Sequence, residues 1–203
     1  MTDARPLSLG PCEDTESKSH WTQGHALLIR SIFSIFEERG VKYVVIRNEE
    51  ELPDANTAKD VDILIDPRRL RLARSLVLRS FKEFGIERLV EYHFGNVVCL
   101  YGIDHKKDFS IHIDLIAGYA PKGFSPLRFE EIYQNKSRVN GFYALNQQFG
   151  AVFLLIYKIF GYSKPTFKEK YIHEFLDAQK TVPKVVNRIL YDLFGGGLAD
   201  SIA

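Results

Sequence analysis

The chain has 203 residues, of which 45% are hydrophobic and 26% are charged. This composition is typical of a globular protein and excludes disorder throughout. A chain of this length buries roughly 70% of its unfolded surface when it folds as one compact domain. Lys and Arg total 27 against 26 Asp and Glu, a net charge of +1. No overall positive field favours a long nucleic-acid partner, so any anion site must be local.

The amino-terminal segment and the cysteines bear on the cellular compartment. Residues 1–20 have no basic start followed by an apolar stretch, so we expect neither a signal peptide nor a membrane anchor. Their polar, aperiodic composition predicts a disordered leader. Cys12 and Cys99 lack the spacing of a disulfide framework or a metal site, and we expect Cys99 to be a core residue. These features predict a cytoplasmic protein.

The spacing of apolar residues predicts two helices and about five strands before residue 120. The helices begin at the N-cap residues Thr22 and Asp66 and end at Gly40 and Gly85. Gly95-Asn96 is a hairpin signal between the third and fourth strands. The strands are predicted at residues 41–47, 61–65, 88–94, 97–101 and 109–116.

From about residue 125 the pattern becomes mostly helical. A short helix is predicted at 127–134, then a turn or strand, and then helices near 146–160, 167–180 and 183–194. The predicted fold class is therefore α+β, with a mixed sheet of about five strands flanked by helices and followed by a C-terminal helical bundle. We expect a leader over residues 1–20, an α/β domain over 21–124, and a helical region over 125–203 packed on that domain.

Two carboxylates lie in the predicted strand Lys59-Asp60-Val61-Asp62-Ile63-Leu64-Ile65. Alternate side chains of a strand share a face, so Asp60 and Asp62 project together while Val61 and Ile63 face the core. Like charges this close repel each other, and a cation relieves the repulsion. Oxygen ligands suit a hard ion such as Mg²⁺. The alternative is a solvated pair at the mouth of a strand.

A third carboxylate, Asp114, lies in another strand-like segment, where Ile113 and Leu115 alternate with His112 and Asp114. It can converge on the Asp60–Asp62 pair if the two strands are adjacent. Three carboxylates on two strands are typical of a two-metal phosphoryl-transfer centre. The alternative is an isolated Asp at a strand edge, and for His112 a hydrogen-bonded strand histidine.

Together these segments resemble the DNA polymerase β-like nucleotidyltransferase superfamily and, more narrowly, nucleotidyltransferase-like proteins of bacteria. The resemblance covers about residues 25–120 and is carried by the strand 43–48, the Leu52-Pro53 loop, the acidic pair and Asp114. It implies a nucleotidyltransferase-type sheet and an enzyme that uses Mg²⁺ (or Mn²⁺). The implied reaction moves a nucleoside monophosphate from a nucleoside triphosphate (NTP), ATP among the candidates, to an acceptor hydroxyl or phosphate.

The resemblance also implies roles for single residues. Asp60, Asp62 and Asp114 would be both the catalytic residues and the metal ligands. Arg47-Asn48 stands where the superfamily usually has Gly-Ser, whose backbone approaches the triphosphate, and this departure puts catalysis in doubt. Arg47 could instead hold phosphate through its bidentate fork, or pair with a nearby carboxylate.

Other candidates for the nucleotide site are Asn48, in the same turn, Lys59, beside the acidic pair, and Lys158, the single charge in an apolar helix. For Lys158 the alternative is a side chain that extends to solvent.

Two other functions fit the same residues. An Asp-x-Asp pair also occurs in metal-dependent glycosyltransferases, which would not need Asp114 and would have a longer parallel βαβ sheet before the pair. A catalytically silent binding module that kept the fold is the second alternative. The acceptor and the oligomeric state are open.

Overall fold

The described residues form a seven-stranded mixed sheet with helices on both faces. The computed structural model describes residues 21–58, 60–118, 127–147, 149–154, 169–181 and 183–195. The strands are β1 (Tyr43–Val45), β2 (Val61–Ile65), β3 (Arg88–Phe94), β4 (Val97–Asp104), β5 (Phe109–Ala117), β6 (Lys136–Val139) and β7 (Phe142–Leu145). The helices are α1 (Gln23–Glu38), α2 (Leu70–Glu83), α3 (Phe129–Gln134), α4 (Glu169–Thr181) and α5 (Pro183–Phe194), and residues 149–154 are also helical.

The strand order is β3-β4-β5-β2-β1-β7-β6. At its centre β2 pairs in parallel with β5 and antiparallel with β1, while β3, β4 and β5 form an antiparallel meander. The predicted α+β class is confirmed, and so is a mixed sheet flanked by helices.

The alternation within β2 separates two hydrophobic cores. Val61, Ile63 and Ile65 face a core that contains the apolar sides of α1 and α2. Leu64 faces a second core, which includes the helical residues 149–154 and apolar residues of α3, α4 and α5. All five residues of β2 are buried, because helices cover both sides of this strand.

Two strands were not among the five predicted ones. β6 and β7 form a hairpin in which β7 pairs in parallel with β1 and β6 is the edge strand of the sheet. The hairpin turn is Asn140-Gly141, whose φ angles of 47° and 93° are both left-handed, as the favoured two-residue turn requires. The region after residue 125 is therefore not purely helical.

The start of α1 follows from its N-cap. Thr22 has an extended backbone, and its amide donates to His25 Nδ1 at 3.0 Å. The opposite ring nitrogen of His25 lies 2.9 Å from the Ser110 carbonyl oxygen in β5. His25 is 3% exposed, and it therefore links the start of α1 to the sheet. None of the described helices is long and apolar enough to cross a membrane.

Candidate functional site

Strand register brings three carboxylates together on the sheet face opposite α1 and α2. Asp62 of β2 lies directly beside Asp114 of the parallel strand β5. Asp60 comes two residues before Asp62, just ahead of β2. One oxygen from each of the three side chains lies within 4.8 Å of the others. The condition that the two strands be adjacent is therefore met, and the acidic residues form one cluster.

Arg47 is the cationic partner of this cluster among the described residues. It follows β1, which runs antiparallel to β2, so the residue lies opposite the start of β2. Its guanidinium forms a two-point ion pair with Asp62, through Nε to Oδ2 and through Nη2 to Oδ1 at 2.9 Å. The same Nη2 lies 3.5 Å from Asp60 Oδ2. Of the two alternatives for Arg47, pairing with a carboxylate is the one present in this structure.

The loop on each side of the cluster has a defined conformation. Asn48 has a left-handed φ of 55°, which Asn tolerates better than most residues. Asn56 is buried, and its side chain donates to the Asp60 carbonyl oxygen at 3.2 Å and accepts from the Ala58 amide at 2.9 Å. These contacts support the backbone that presents Asp60.

Three further side chains continue the same face toward β4. Cys99 is the antiparallel partner of Asp114, and Tyr101 is the partner of His112. His112 Nε2 lies 2.7 Å from Asp114 Oδ1, and the Tyr101 ring stacks on the imidazole with centroids 4.0 Å apart. The Cys99 sulfur lies within 4.8 Å of a carboxylate oxygen of Asp114. Cys99, expected to be core, is only partly buried and belongs to this cluster.

Burial and pairing act differently on the two strand carboxylates. Burial raises the pKa of Asp62 above its usual range, and pairing with Arg47 only partly opposes this. For Asp114, burial alone would raise the pKa, but hydrogen bonds from His112 and Cys99 outweigh it and hold the pKa below the usual value. Burial therefore works against the ionised form of Asp62, which Arg47 stabilises, whereas Asp114 is already stabilised as an anion.

The cysteine and histidine respond to the same carboxylates. Burial, together with the nearby Asp114, raises the pKa of the Cys99 thiol to about 12. Burial alone would lower the pKa of His112, but its hydrogen bond to Asp114 and the negative charges of Asp114, Asp60 and Asp62 together outweigh this and raise the pKa. Reactive cysteines have a lowered pKa, so Cys99 is not activated as a nucleophile.

The predicted site residues divide into two groups. Asp60, Asp62, Asp114 and Arg47 lie together, and Asn48 is in the adjoining turn. Lys59 and Lys158 lie outside the described residues.

The sequence patterns did not indicate a role in the site for Cys99, Tyr101 or Asn56. The alternation of Val97, Cys99 and Tyr101 against Val98 and Leu100 places the first three on one face, and this signal was present in the sequence. This alternation did not indicate which strand lies beside β4.

The donor set fits a hard divalent cation. All three ligands are carboxylate oxygens, which Mg²⁺ and Mn²⁺ prefer over nitrogen and sulfur. Among the described residues, one guanidinium is shared between Asp60 and Asp62, and the His112 imidazole lies against Asp114. The side chains of Asp60 and Asp114 are 25% and 16% exposed, which leaves them open to an ion from solvent.

Solved structures that are similar to this chain include two from Helicobacter pylori. JHP933 from Helicobacter pylori aligns at 12% identity over 87% of this chain and 75% of that chain, with a TM-score of 0.49. An H. pylori protein provisionally named a nucleotidyltransferase aligns at 12% identity over 86% of this chain and 77% of that chain, with a TM-score of 0.48. No family model and no curated protein matches the chain. Only the site residues therefore bear on the function of this chain.

Proposed function

We propose that this protein is a metal-dependent nucleotidyltransferase, which moves a nucleoside monophosphate from an NTP to an acceptor hydroxyl or phosphate and releases pyrophosphate. The observation that carries the proposal is the placement of Asp62 and Asp114 side by side on parallel strands, with Asp60 completing the cluster. Strands hold carboxylates more rigidly than loops do, and catalysis of phosphoryl transfer depends on positioning and charge neutralisation.

In this proposal Asp60, Asp62 and Asp114 hold Mg²⁺ (or Mn²⁺). Bound there, the ion would neutralise the phosphates and lower the pKa of the attacking group. Asp114 is the proposed acceptor of the proton from the acceptor hydroxyl, because its hydrogen bond to His112 fixes the carboxylate in place.

Arg47 has two possible roles in the same reaction. Its guanidinium can offset the charge of Asp60 and Asp62, as the ion pairs do in this structure. The planar fork is also suited to bidentate contact with phosphate oxygens, and Asn48 and the rest of the turn would lie beside the triphosphate. Lys59 and Lys158 stay candidates for the nucleotide from the sequence alone.

The glycosyltransferase alternative is disfavoured by topology. Among the described residues only β1 precedes β2, and it pairs antiparallel, so no parallel βαβ unit leads to the Asp-x-Asp pair. The silent-module alternative has one observation in its favour, the two-point ion pair of Arg47 with Asp62. That pair gives the most buried carboxylate an internal cation.

The experiment that separates enzyme from silent module is a pyrophosphate-release assay with Mg²⁺, the four common NTPs and a panel of acceptors. The panel includes sugars, small amines and alcohols, peptides and RNA ends. Asp114→Asn is expected to lower turnover by about a hundredfold or more while nucleotide affinity changes little, because the proton acceptor acts mainly in the transition state. Asp108→Asn is the matched control, since Asp108 is exposed and already has the left-handed φ that Asn adopts.

Two outcomes would contradict the proposal. If Asp114→Asn keeps full turnover with an acceptor that the wild type uses, the three-carboxylate mechanism is wrong. If the wild type binds nucleotide but releases no pyrophosphate with any acceptor, the silent binding module becomes the better account.

A further inference from the structure

Asp114 belongs to a second group of metal-ligating atoms beside the all-carboxylate cluster. The Cys99 sulfur, an imidazole nitrogen of His112 and a carboxylate oxygen of Asp114 lie within 4.8 Å of one another. Cys99 is the direct cross-strand partner of Asp114, and His112 is two residues before Asp114 on the same face of β5. All three ligands are therefore carried by paired strands.

The local structure already orients these ligands. His112 Nε2 hydrogen-bonds to the Asp114 carboxylate, and the Cys99 sulfur lies within 4.8 Å of both groups. The Tyr101 ring stacks on His112 at an interplanar angle of 18°, which limits rotation of the imidazole. All three residues are partly exposed, so an ion can reach them from solvent.

A sulfur, a nitrogen and an oxygen together select a different ion from the one that three carboxylates select. Zn²⁺ is bound by Cys, His and Asp side chains, and sites with three protein ligands keep a fourth position for water or substrate. Mg²⁺ favours oxygen ligands only. We propose that Cys99, His112 and Asp114 form a binding site for Zn²⁺, distinct in chemistry from the carboxylate cluster but sharing Asp114 with it.

Binding replaces the hydrogen bond between His112 and Asp114 by metal–ligand bonds. The Cys99 S–H bond breaks, its proton passes to solvent, and the thiolate sulfur bonds the ion, since the thiolate is the ligand form of cysteine. His112 coordinates through Nε2 as the neutral base, so the proton that Nε2 shares with Asp114 in the free protein passes to solvent while Nδ1 keeps its own. Neither atom changes its oxidation state.

Sharing Asp114 has a consequence that rests on the proposed function. A Zn²⁺ ion that draws Asp114 toward Cys99 takes one ligand from the carboxylate cluster. Zinc is then expected to inhibit pyrophosphate release.

The test uses the full-length, reduced protein and Co²⁺ as a spectroscopic substitute for Zn²⁺. The wild type is expected to develop a saturable thiolate-to-cobalt absorption band at one equivalent, which Zn²⁺ removes and Mg²⁺ does not. Cys99→Ser should abolish the band. Cys12→Ser is the matched control and should keep it, because the chain has only these two cysteines. His112→Gln should weaken binding by about tenfold or more.

Asp60→Asn separates this site from the proposed function. It removes a carboxylate of the magnesium cluster only, so the cobalt band should survive even if the enzyme proposal fails. A band that is absent in the wild type, that persists in Cys99→Ser, or that disappears in Cys12→Ser would overturn the proposal. If zinc binds and pyrophosphate release proceeds unchanged, the sharing of Asp114 between the two ions is wrong.

Thiol labelling gives a second readout that does not depend on a variant at Cys99. In Cys12→Ser protein, Zn²⁺ should slow modification of Cys99 by a thiol reagent, and Mg²⁺ should not. Equal modification rates with and without Zn²⁺ would also contradict the site.

Discussion

Arg47 and Asp62 form the most buried of the ion pairs described in the site. The Asp62 side chain is 3% exposed and that of Arg47 is 21% exposed. Burial raises the pKa of Asp62, and the Arg47 guanidinium opposes this shift by stabilising the charged form. A buried charge left without its partner is costly, whereas an exposed ion pair contributes little.

Arg47→Ala is therefore expected to destabilise the metal-free protein by about 2 kcal/mol or more, less than a fully buried pair because Arg47 is partly exposed. Urea unfolding with Mg²⁺ removed measures it. Arg30→Ala is the control, since the exposed Arg30–Asp54 pair should be worth less than about 1 kcal/mol. Adding Asp62→Asn to Arg47→Ala should restore part of the loss. Unchanged stability combined with weaker nucleotide binding would instead assign Arg47 to phosphate.

At the scale of the helices and strands, His25 connects the start of α1 to β5. Its Nδ1 accepts from the Thr22 amide, so the proton of the neutral ring is on Nε2, which donates to the Ser110 carbonyl oxygen. The ring also stacks against Trp21 and Phe109, with centroids 4.7 Å and 4.0 Å away. Burial lowers the pKa of His25 below its ordinary value, and a second proton on Nδ1 would also face the Thr22 amide donor.

This arrangement predicts acid sensitivity. The pKa of His25 is lower in the folded than in the unfolded chain, so the unfolded chain binds more protons between the two values. The stabilisation is complete above about pH 6.5, the unfolded value, and is lost as the pH falls through the folded pKa. His25→Phe keeps the ring but cannot titrate, so its unfolding free energy should fall less between pH 7.5 and 5.5 than that of the wild type.

His105→Phe, at an exposed position of the β4–β5 turn, provides the control for replacing a histidine by phenylalanine. An equal loss of stability in His25→Phe and wild type would remove His25 as the cause.

Local signals predicted most of the helices and strands. Caps at Thr22 and Asp66 and alternation in β2 and β5 are properties of neighbouring residues, and they predicted these elements well. Where the β6–β7 hairpin lies, the sequence predicts only a turn or strand, because the two strands have four residues each and β6 is largely polar. Its Asn140-Gly141 turn was nevertheless a recognisable hairpin signal.

Contacts between distant segments were beyond local signals. Asp62 and Asp114 were expected to meet only if their strands were adjacent, and that register depends on how the whole sheet assembles. The same holds for Cys99, which apolar neighbours marked as core although its face is shared with His112 and Asp114. Sequence alternation gives the face of a residue, but pairing decides its neighbours.

For the whole molecule, the site owes its position to the two hydrophobic cores. In one core, apolar residues of β2 and β5 pack against α1 and α2. The other covers Leu64 and Ile116 on the opposite face, next to the carboxylates in the same two strands. The acidic cluster thus lies at the border of a packed region, where strands are rigid and solvent reaches Asp60 and Asp114. A rigid base of this kind is what a preorganised ion site needs.

Nucleotide-dependent thermal stabilisation tests most directly the proposal that Asp60, Asp62 and Asp114 form the metal and nucleotide site. Mg²⁺ with NTP at a hundredfold excess over the dissociation constant should stabilise the wild type by about 2.7 kcal/mol and raise its melting temperature. Asp60→Asn with Asp62→Asn should abolish the rise, each variant being compared with its own ligand-free melting temperature. Glu83→Gln with Glu87→Gln, which removes two exposed carboxylates, should keep it. No rise in the wild type, or an undiminished rise in the Asp60 and Asp62 double variant, would contradict the claim.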